Sequence, residues 1–352
     1  MEDTICKTGK LSATISKRRA KGYSIVSDIL RILRDVPCGK RRIELGVQLR
    51  NAWLINSMLL NCEAWHNILK KDLDALIEVD SYLLRKIVGS HSKIPMEFVH
   101  LESGTLAVNY ICTKRRLIYL HHILSVSENE LIFKVYSAQK EQPLKGDWVL
   151  KVGEDMAQIE LKMEENEIKS KSKAEFKKIV EIKVSQCAFK EYISEQSTKS
   201  KTKDIKYEKL EMQPYMKSLT FNNKEVKTLF NLRAKTVWTY KACFKSMFKN
   251  SMNCQLGCDS IDSLHHSFQC VKVMCDPRYR PNTEDKSTNI TFDDVYAGIC
   301  EQKDAVVKFI QMHNIRDHIL EQQSGNSLPG HGTGQVHAAG GGGVVLGGEG
   351  GG

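Results

Sequence analysis

Apolar residues recur at helical spacing along most of this chain. Ile25, Ile29 and Leu33 fall on one face of the stretch 14–34, which predicts an amphipathic helix. Lys17, Arg18, Arg19 and Lys21 crowd its start, and Pro37 and Gly39 stop it. A second helix is expected over 40–65, with Ile43, Val47, Leu54, Ile55, Met58 and Leu59 inward and Arg41 and Arg42 in its first turn. A third, over 67–88, turns Leu73, Leu76, Leu83, Leu84 and Ile87 inward and ends at Gly89. A short helix from Pro95 is broken at Gly104, and helices over 108–126 and 128–140 follow. Long helices with short connections predict a mainly α fold, a multi-helical bundle over 11–145. Residues 1–10 are polar, with one short strand expected around Asp3–Cys6.

The pattern changes at residue 146. From 146 to 217 the chain is rich in Lys and Glu and only weakly periodic. A long, charged, helical connector is expected there, exposed to solvent. Clear amphipathicity returns over 222–249: Val226, Leu229, Phe230, Val237, Phe244 and Phe248 line one side. Lys227, Arg233, Lys235, Lys241, Lys245 and Lys249 occupy the others, with Trp238 and Tyr240 interleaved. A loop over 276–291 and helices over 292–299 and 301–320 complete the stretch 276–324. From 325 to 352, 13 of 28 residues are Gly. Such low complexity predicts a disordered tail.

The densest chemistry lies in the segment 218–275. Cys254, Cys258, His266 and Cys270 are spaced Cys-x3-Cys-x7-His-x3-Cys. So short a segment buries no core of its own, and a Zn²⁺ ion tying its ends together makes binding free energy into folding free energy. Three thiolates and one imidazole suit zinc better than a hard cation. Four coordinating groups close the site, so it is structural and not hydrolytic. His265 in place of His266, or Cys275 in place of the histidine, are the alternatives; His266 is favoured.

Charge sharpens this picture. The chain carries 52 Lys/Arg against 42 Asp/Glu, and residues 199–249 hold 13 against 4. A local basic excess is the footprint of a polyanion. Aromatic rings among cations stack on bases while the cations meet phosphates, so Lys227, Arg233, Lys235, Trp238, Lys241, Lys245 and Lys249 are candidate contacts to RNA or DNA. Eleven cysteines without a framework, and no apolar N-terminal run, predict a reduced intracellular compartment, nuclear or cytoplasmic, and no secretion. No run reaches eighteen apolar residues, so no membrane span is expected.

Catalytic constellations are not found. Asp293-Asp294 opens a helix after a Thr-rich loop, where first-turn charge explains it. There is no phosphate-binding glycine loop and no nucleophile elbow. Glu63-Ala-Trp-His66 lacks the second histidine of a zinc protease.

Taken together, residues 3–320 resemble the C-terminal region of non-LTR (LINE-type) retrotransposon reverse transcriptase polyproteins. Asp3–Lys10 looks like the strand and loop after the polymerase palm. Lys17–Gly22, Gly39-Lys-Arg-Arg42, Leu59–Trp65, Asp80–Arg85, Gly89–Lys93, Leu101–Gly104 and Lys114–Leu120 look like the helical thumb and its continuation, in order. Phe230–Lys235 through Cys254–Cys258 and His266–Cys270 is similar to the family's basic helix and CCHC knuckle. The resemblance implies a thumb-like bundle in which Arg18, Arg19, Arg41 and Arg42 approach a template–primer duplex, and a zinc knuckle that helps hold RNA or target DNA. The palm and its paired aspartates are missing. What is implied is a truncated, non-catalytic nucleic-acid-binding fragment. The alternatives are a helical scaffold or interaction protein, or a degraded open reading frame without function.

Overall fold

The computed structural model describes residues 11–36, 41–65, 67–90, 93–199, 202–203, 205–217 and 222–236. Beyond these it describes 254, 256–258, 260, 266, 269–278, 308, 310–312, 314–316 and 318–319. The strand expected near Asp3, the Gly-rich tail and Asp293-Asp294 lie outside the described residues. Among the described residues the fold is mainly helical with no strand.

Helix α1 (Ser12–Asp35) lies along α4 (Lys70–Val88). Ser12 Oγ donates to Asp72 at 2.6 Å at one end, and the Tyr23 and Tyr82 rings meet edge-on at 6.2 Å further along. The second expected helix stops short of residue 65. It runs as α2 (Arg42–Leu49), a π-helical stretch Arg50–Ile55 and α3 (Asn56–Met58), then ends. Asn61 takes φ 57°, a left-handed turn that breaks the helical ladder. These elements, with α5 (Met96–Ser103), α11 (Pro214–Lys217) and α12 (Asn223–Arg233), enclose one core around Ile29, Met58, Leu83 and Phe98.

The largest departure from expectation is 146–217. This stretch is not an exposed connector. Helices α8 (Trp148–Gln158), α9 (Glu165–Ser170) and α10 (Lys173–Ser197) pack on α6 (Val108–Ser125). Val152, Ile168, Phe176, Val180, Val184 and Tyr192 fill a second core with Leu117 and Leu120. On α10 the buried positions Phe176, Val180, Val184, Ala188 and Tyr192 recur every four residues. That stripe is narrow, with Ile179, Cys187, Phe189 and Ile193 only half-buried beside it, so the Lys and Glu around it dilute the periodic signal. Its start is marked by a capping box: Ser172 Oγ accepts from the Glu175 N–H at 3.3 Å, and Glu175 accepts from the Ser172 N–H at 2.9 Å. Helix α7 (Leu131–Glu141) closes the side of this core.

Three buried arginine–carboxylate pairs join distant segments. Arg50 donates through Nε and Nη2 to the two oxygens of Asp80, both at 2.6 Å, and through Nη2 to the Leu106 carbonyl at 2.8 Å. Arg116 pairs with Asp155 and donates to the Trp65 carbonyl at 2.8 Å. Arg233, at the end of α12, donates to Glu102 at 2.8–3.1 Å. Tyr215 donates to the same carboxylate at 2.6 Å, and Tyr207 does so as well. Beside this network the chain makes an isolated bridge between Ser103 and Met212. Gly104, at φ 63°, makes that approach possible: a Cβ there would lie 2.1 Å from the Met212 nitrogen.

His100 lies inside this body and bonds Thr105 Oγ1 through Nδ1 at 2.9 Å. Burial, helped by the nearby Arg50 guanidinium, pushes its pKa down to about 4. The unfolded imidazole therefore takes up a proton that the folded one refuses. The penalty is absent above pH 6.5, grows as pH falls, and is complete near pH 4. It amounts to on the order of 3 kcal/mol. Denaturant unfolding at pH 7 and pH 4 is expected to show this loss in the parent chain and a smaller loss in His100→Gln. Equal losses in the two proteins would remove His100 as the cause.

Candidate metal centre

Cys254 opens a tight turn. The Gly257 N–H donates to the Cys254 carbonyl at 3.0 Å, and the Cys254 N–H donates to the Ser260 carbonyl at 2.9 Å. Gly257 has φ 78° with open space around it, so the position needs glycine for its backbone angle and not for room. This turn returns Cys258 toward Cys254. Cys270 stands at the N-cap of the short α13 (Val271–Met274). Its carbonyl accepts from the Val273 and Met274 N–H groups at 3.0 and 2.9 Å.

Turn and helix bring the ligand atoms of Cys254, Cys258, His266 and Cys270 to within 4.8 Å of one another. The Cys270 sulfur lies 3.9 Å from that of Cys254 and 3.6 Å from that of Cys258. A tetrahedral ion with Zn–S bonds of about 2.3 Å holds its sulfurs about 3.8 Å apart. A disulfide requires about 2.05 Å, and these cysteines are free thiols. The donor set and its spacing fit zinc. His266 belongs to the cluster, His265 falls outside the described residues, and Cys275 is exposed and outside the group.

The electrostatics separate the thiols. Burial pushes Cys258 up, but the Lys272 backbone N–H, the neighbouring thiols and the Lys272 ammonium together hold it below its ordinary value. Burial and the thiols of Cys258 and Cys254 push Cys270 up to about 12, against the Val273 N–H. A cation among the three sulfurs would hold all of them as thiolates. Around the cluster a small core forms from Leu256, Val273, Met312 and Ile315. The contribution of Met312 and Ile315 was not anticipated. Its only sequence signal is their helical spacing with Ile319.

The expected nucleic-acid contacts divide into three groups. Two are internal. Arg18, 1 % exposed, donates to the carbonyls of Met58 at 3.1 Å and Leu60 at 2.6 Å and lies over the Trp65 ring. Arg233, 2 % exposed, is held by Glu102. Neither reaches a phosphate, because each compensates buried backbone or charge within the protein. Others lie at the surface. Arg19 is exposed, 2.8 Å from Glu78 and over the Tyr23 ring. Arg41 is exposed and 3.6 Å from Glu44, and Arg42 begins α2 half-buried. Lys227 is half-buried with its stem across Gly89. Lys235 is half-buried at φ 50°.

That angle corrects the expected single helix over 222–249. Helix α12 starts with a capping box, Asn222 with Glu225, and ends at Arg233. Lys235 occupies the left-handed position of a Schellman-type stop, with the Thr236 N–H donating to the Asn231 carbonyl at 2.9 Å. Trp238, Lys241, Lys245 and Lys249 lie outside the described residues.

No family model, curated protein or solved structure matches the chain. No described helix is long and apolar enough to cross a membrane.

Proposed function

We propose that the chain is a non-catalytic nucleic-acid-binding protein, akin to the thumb and knuckle region of LINE-type reverse transcriptase polyproteins. The carrying observation is the cluster of Cys254, Cys258, His266 and Cys270, with sulfurs at tetrahedral separations, directly after the basic, aromatic sequence 237–249. In this reading Zn²⁺ is structural. It folds the short segment that follows Trp238, Lys241, Lys245 and Lys249 in the sequence. The lysines meet phosphates and Trp238 stacks on a base of single-stranded RNA or DNA. Arg19, Arg41 and Arg42 remain candidate contacts on the helical body, and Arg18 and Arg233 do not. With no polymerase acids in the sequence, the proposed role is holding nucleic acid and not extending it.

Phosphate-dominated binding has a measurable signature. With Lys235, Lys241, Lys245 and Lys249 each neutralising one phosphate of a single strand, the slope of log K against log salt is about −3. Fluorescence anisotropy with labelled single-stranded RNA and DNA is expected to show about 50-fold weaker binding at 200 mM than at 50 mM salt. Alanine at Lys241, Lys245 and Lys249 together should flatten the slope by about 2. Absence of binding, or a flat salt dependence in the parent chain, overturns the reading.

A further inference from the structure

Helices α6, α7 and α8, with Ala64, line an open pocket of about 170 Å³ that the proposed nucleic-acid role does not use. Its floor is aromatic. The Trp148 ring is met nearly at right angles by Tyr119, at 6.0 Å and 88°, and by Tyr136, at 6.3 Å and 75°. Aliphatic walls come from Ile123 and Ile132, and the mouth from Val135, which is 49 % exposed.

The polar groups of Trp148 and Tyr136 are already engaged. Trp148 Nε1 donates to the Glu63 carbonyl at 2.7 Å, and the Tyr136 hydroxyl donates to Glu165 at 2.6 Å. These bonds fix the rings and leave their faces to a ligand. Gln139 also lines the pocket, half-buried. Among the described residues its amide has no hydrogen-bond partner, so it has a donor and an acceptor to offer. Apolar walls with a small number of polar groups are the usual composition of a small-molecule site.

Size and lining select the ligand class. An apolar cavity of about 150 Å³ accepts a benzene-sized molecule, so this one has room for a single aromatic ring. Edge-to-face contact with Tyr119, Tyr136 and Trp148 favours a ring over an alkyl chain of equal volume. The Gln139 amide favours a ring with a hydrogen-bonding edge. A cation is disfavoured, because the nearest carboxylate on the Tyr136 side, Glu165, is matched by Lys140 at 2.7 Å. We propose that this pocket binds a monocyclic aromatic ligand bearing one hydrogen-bonding group, which Gln139 reads.

The test uses the full chain and two probes, p-cresol and toluene, which differ by one hydroxyl. Titrations followed on the Trp148 indole N–H by NMR should show both binding at the same place, p-cresol about tenfold more tightly. Gln139→Leu should cut p-cresol affinity about tenfold and change toluene less than about twofold. Ala64→Leu, which adds volume at the lining, should weaken both with the fold unchanged by circular dichroism. Failure of both probes to perturb Trp148 overturns the site. Equal affinities for the two probes, or a Gln139→Leu effect that is the same for both, overturns the ligand class.

Discussion

The purified chain should carry one zinc, and Cys258→Ser should lose it under a chelator concentration that the parent withstands. The sulfurs of Cys254, Cys258 and Cys270 are gathered without a disulfide. Bare, they form a cluster of weak donors, against which Leu256, Val273, Met312 and Ile315 are the buried apolar side chains among the described residues. Four apolar side chains contribute too little to order a segment of this length, whereas structural zinc contributes about 10–16 kcal/mol of apparent binding free energy at neutral pH. Removing the metal should therefore unfold the module alone. Limited proteolysis of the chelated protein should cut within 254–319 and spare the helical body, whose two cores draw their buried residues from other segments, with Ile310 half-buried against the first. Metal analysis of parent and variant is the direct check. Stoichiometric zinc in both would move the site elsewhere. None in either, with all three thiols reactive, would leave the cluster without its proposed metal.

Glu102→Ala should be the most damaging single substitution in the helical body. The Glu102 side chain is wholly buried and accepts from Arg233, Tyr207 and Tyr215, three residues more than a hundred positions away in sequence. Removing it leaves a buried guanidinium and two buried hydroxyls without their acceptor. Breaking such a pair from one side costs about 3–5 kcal/mol. Glu102 also holds both tyrosine pKa values well above their ordinary range, second to burial itself. The loss appears as a lowered urea midpoint. Hydrogen exchange should rise first in 205–236, the segment fastened to α5 through this carboxylate. Pairing Glu102→Leu with Arg233→Met should recover part of the loss, because no charge is then left uncompensated. A midpoint within about 0.5 kcal/mol of the parent for Glu102→Ala would show that water reaches the site and that the network is not a fastening.

Much of the architecture is written locally. The apolar faces of α1, α4 and α6 are wide, and the stops of α4 at Gly89 and of α5 at Gly104 are ordinary left-handed caps, so the order of these helices was readable, although the breaks within 40–65 were not. So was the ligand spacing of the cluster, since a metal site built on one short segment is a property of that segment. Other features were not. The connector reading of 146–217 failed because a narrow stripe, Phe176 to Tyr192, is hidden among lysines and glutamates until another helix is placed against it. Arg18 and Arg233 read as surface cations because charge in a sequence carries no sign of burial. Their fate depends on carbonyls at 58 and 60 and a carboxylate at 102. That Cys275 stands outside the cluster likewise came from distance.

The sequence by itself determined which segments are helical, where most of them start and stop, and which four side chains form a zinc-type spacing, because these depend on neighbours within a few turns. Only the tertiary structure decided that the charged stretch builds a second core, that two expected phosphate contacts are internal ties, and that an aromatic pocket exists between α6, α7 and α8. Each of those rests on pairing groups far apart in the chain, and the cost or gain of burying a charge or a ring is set by what faces it.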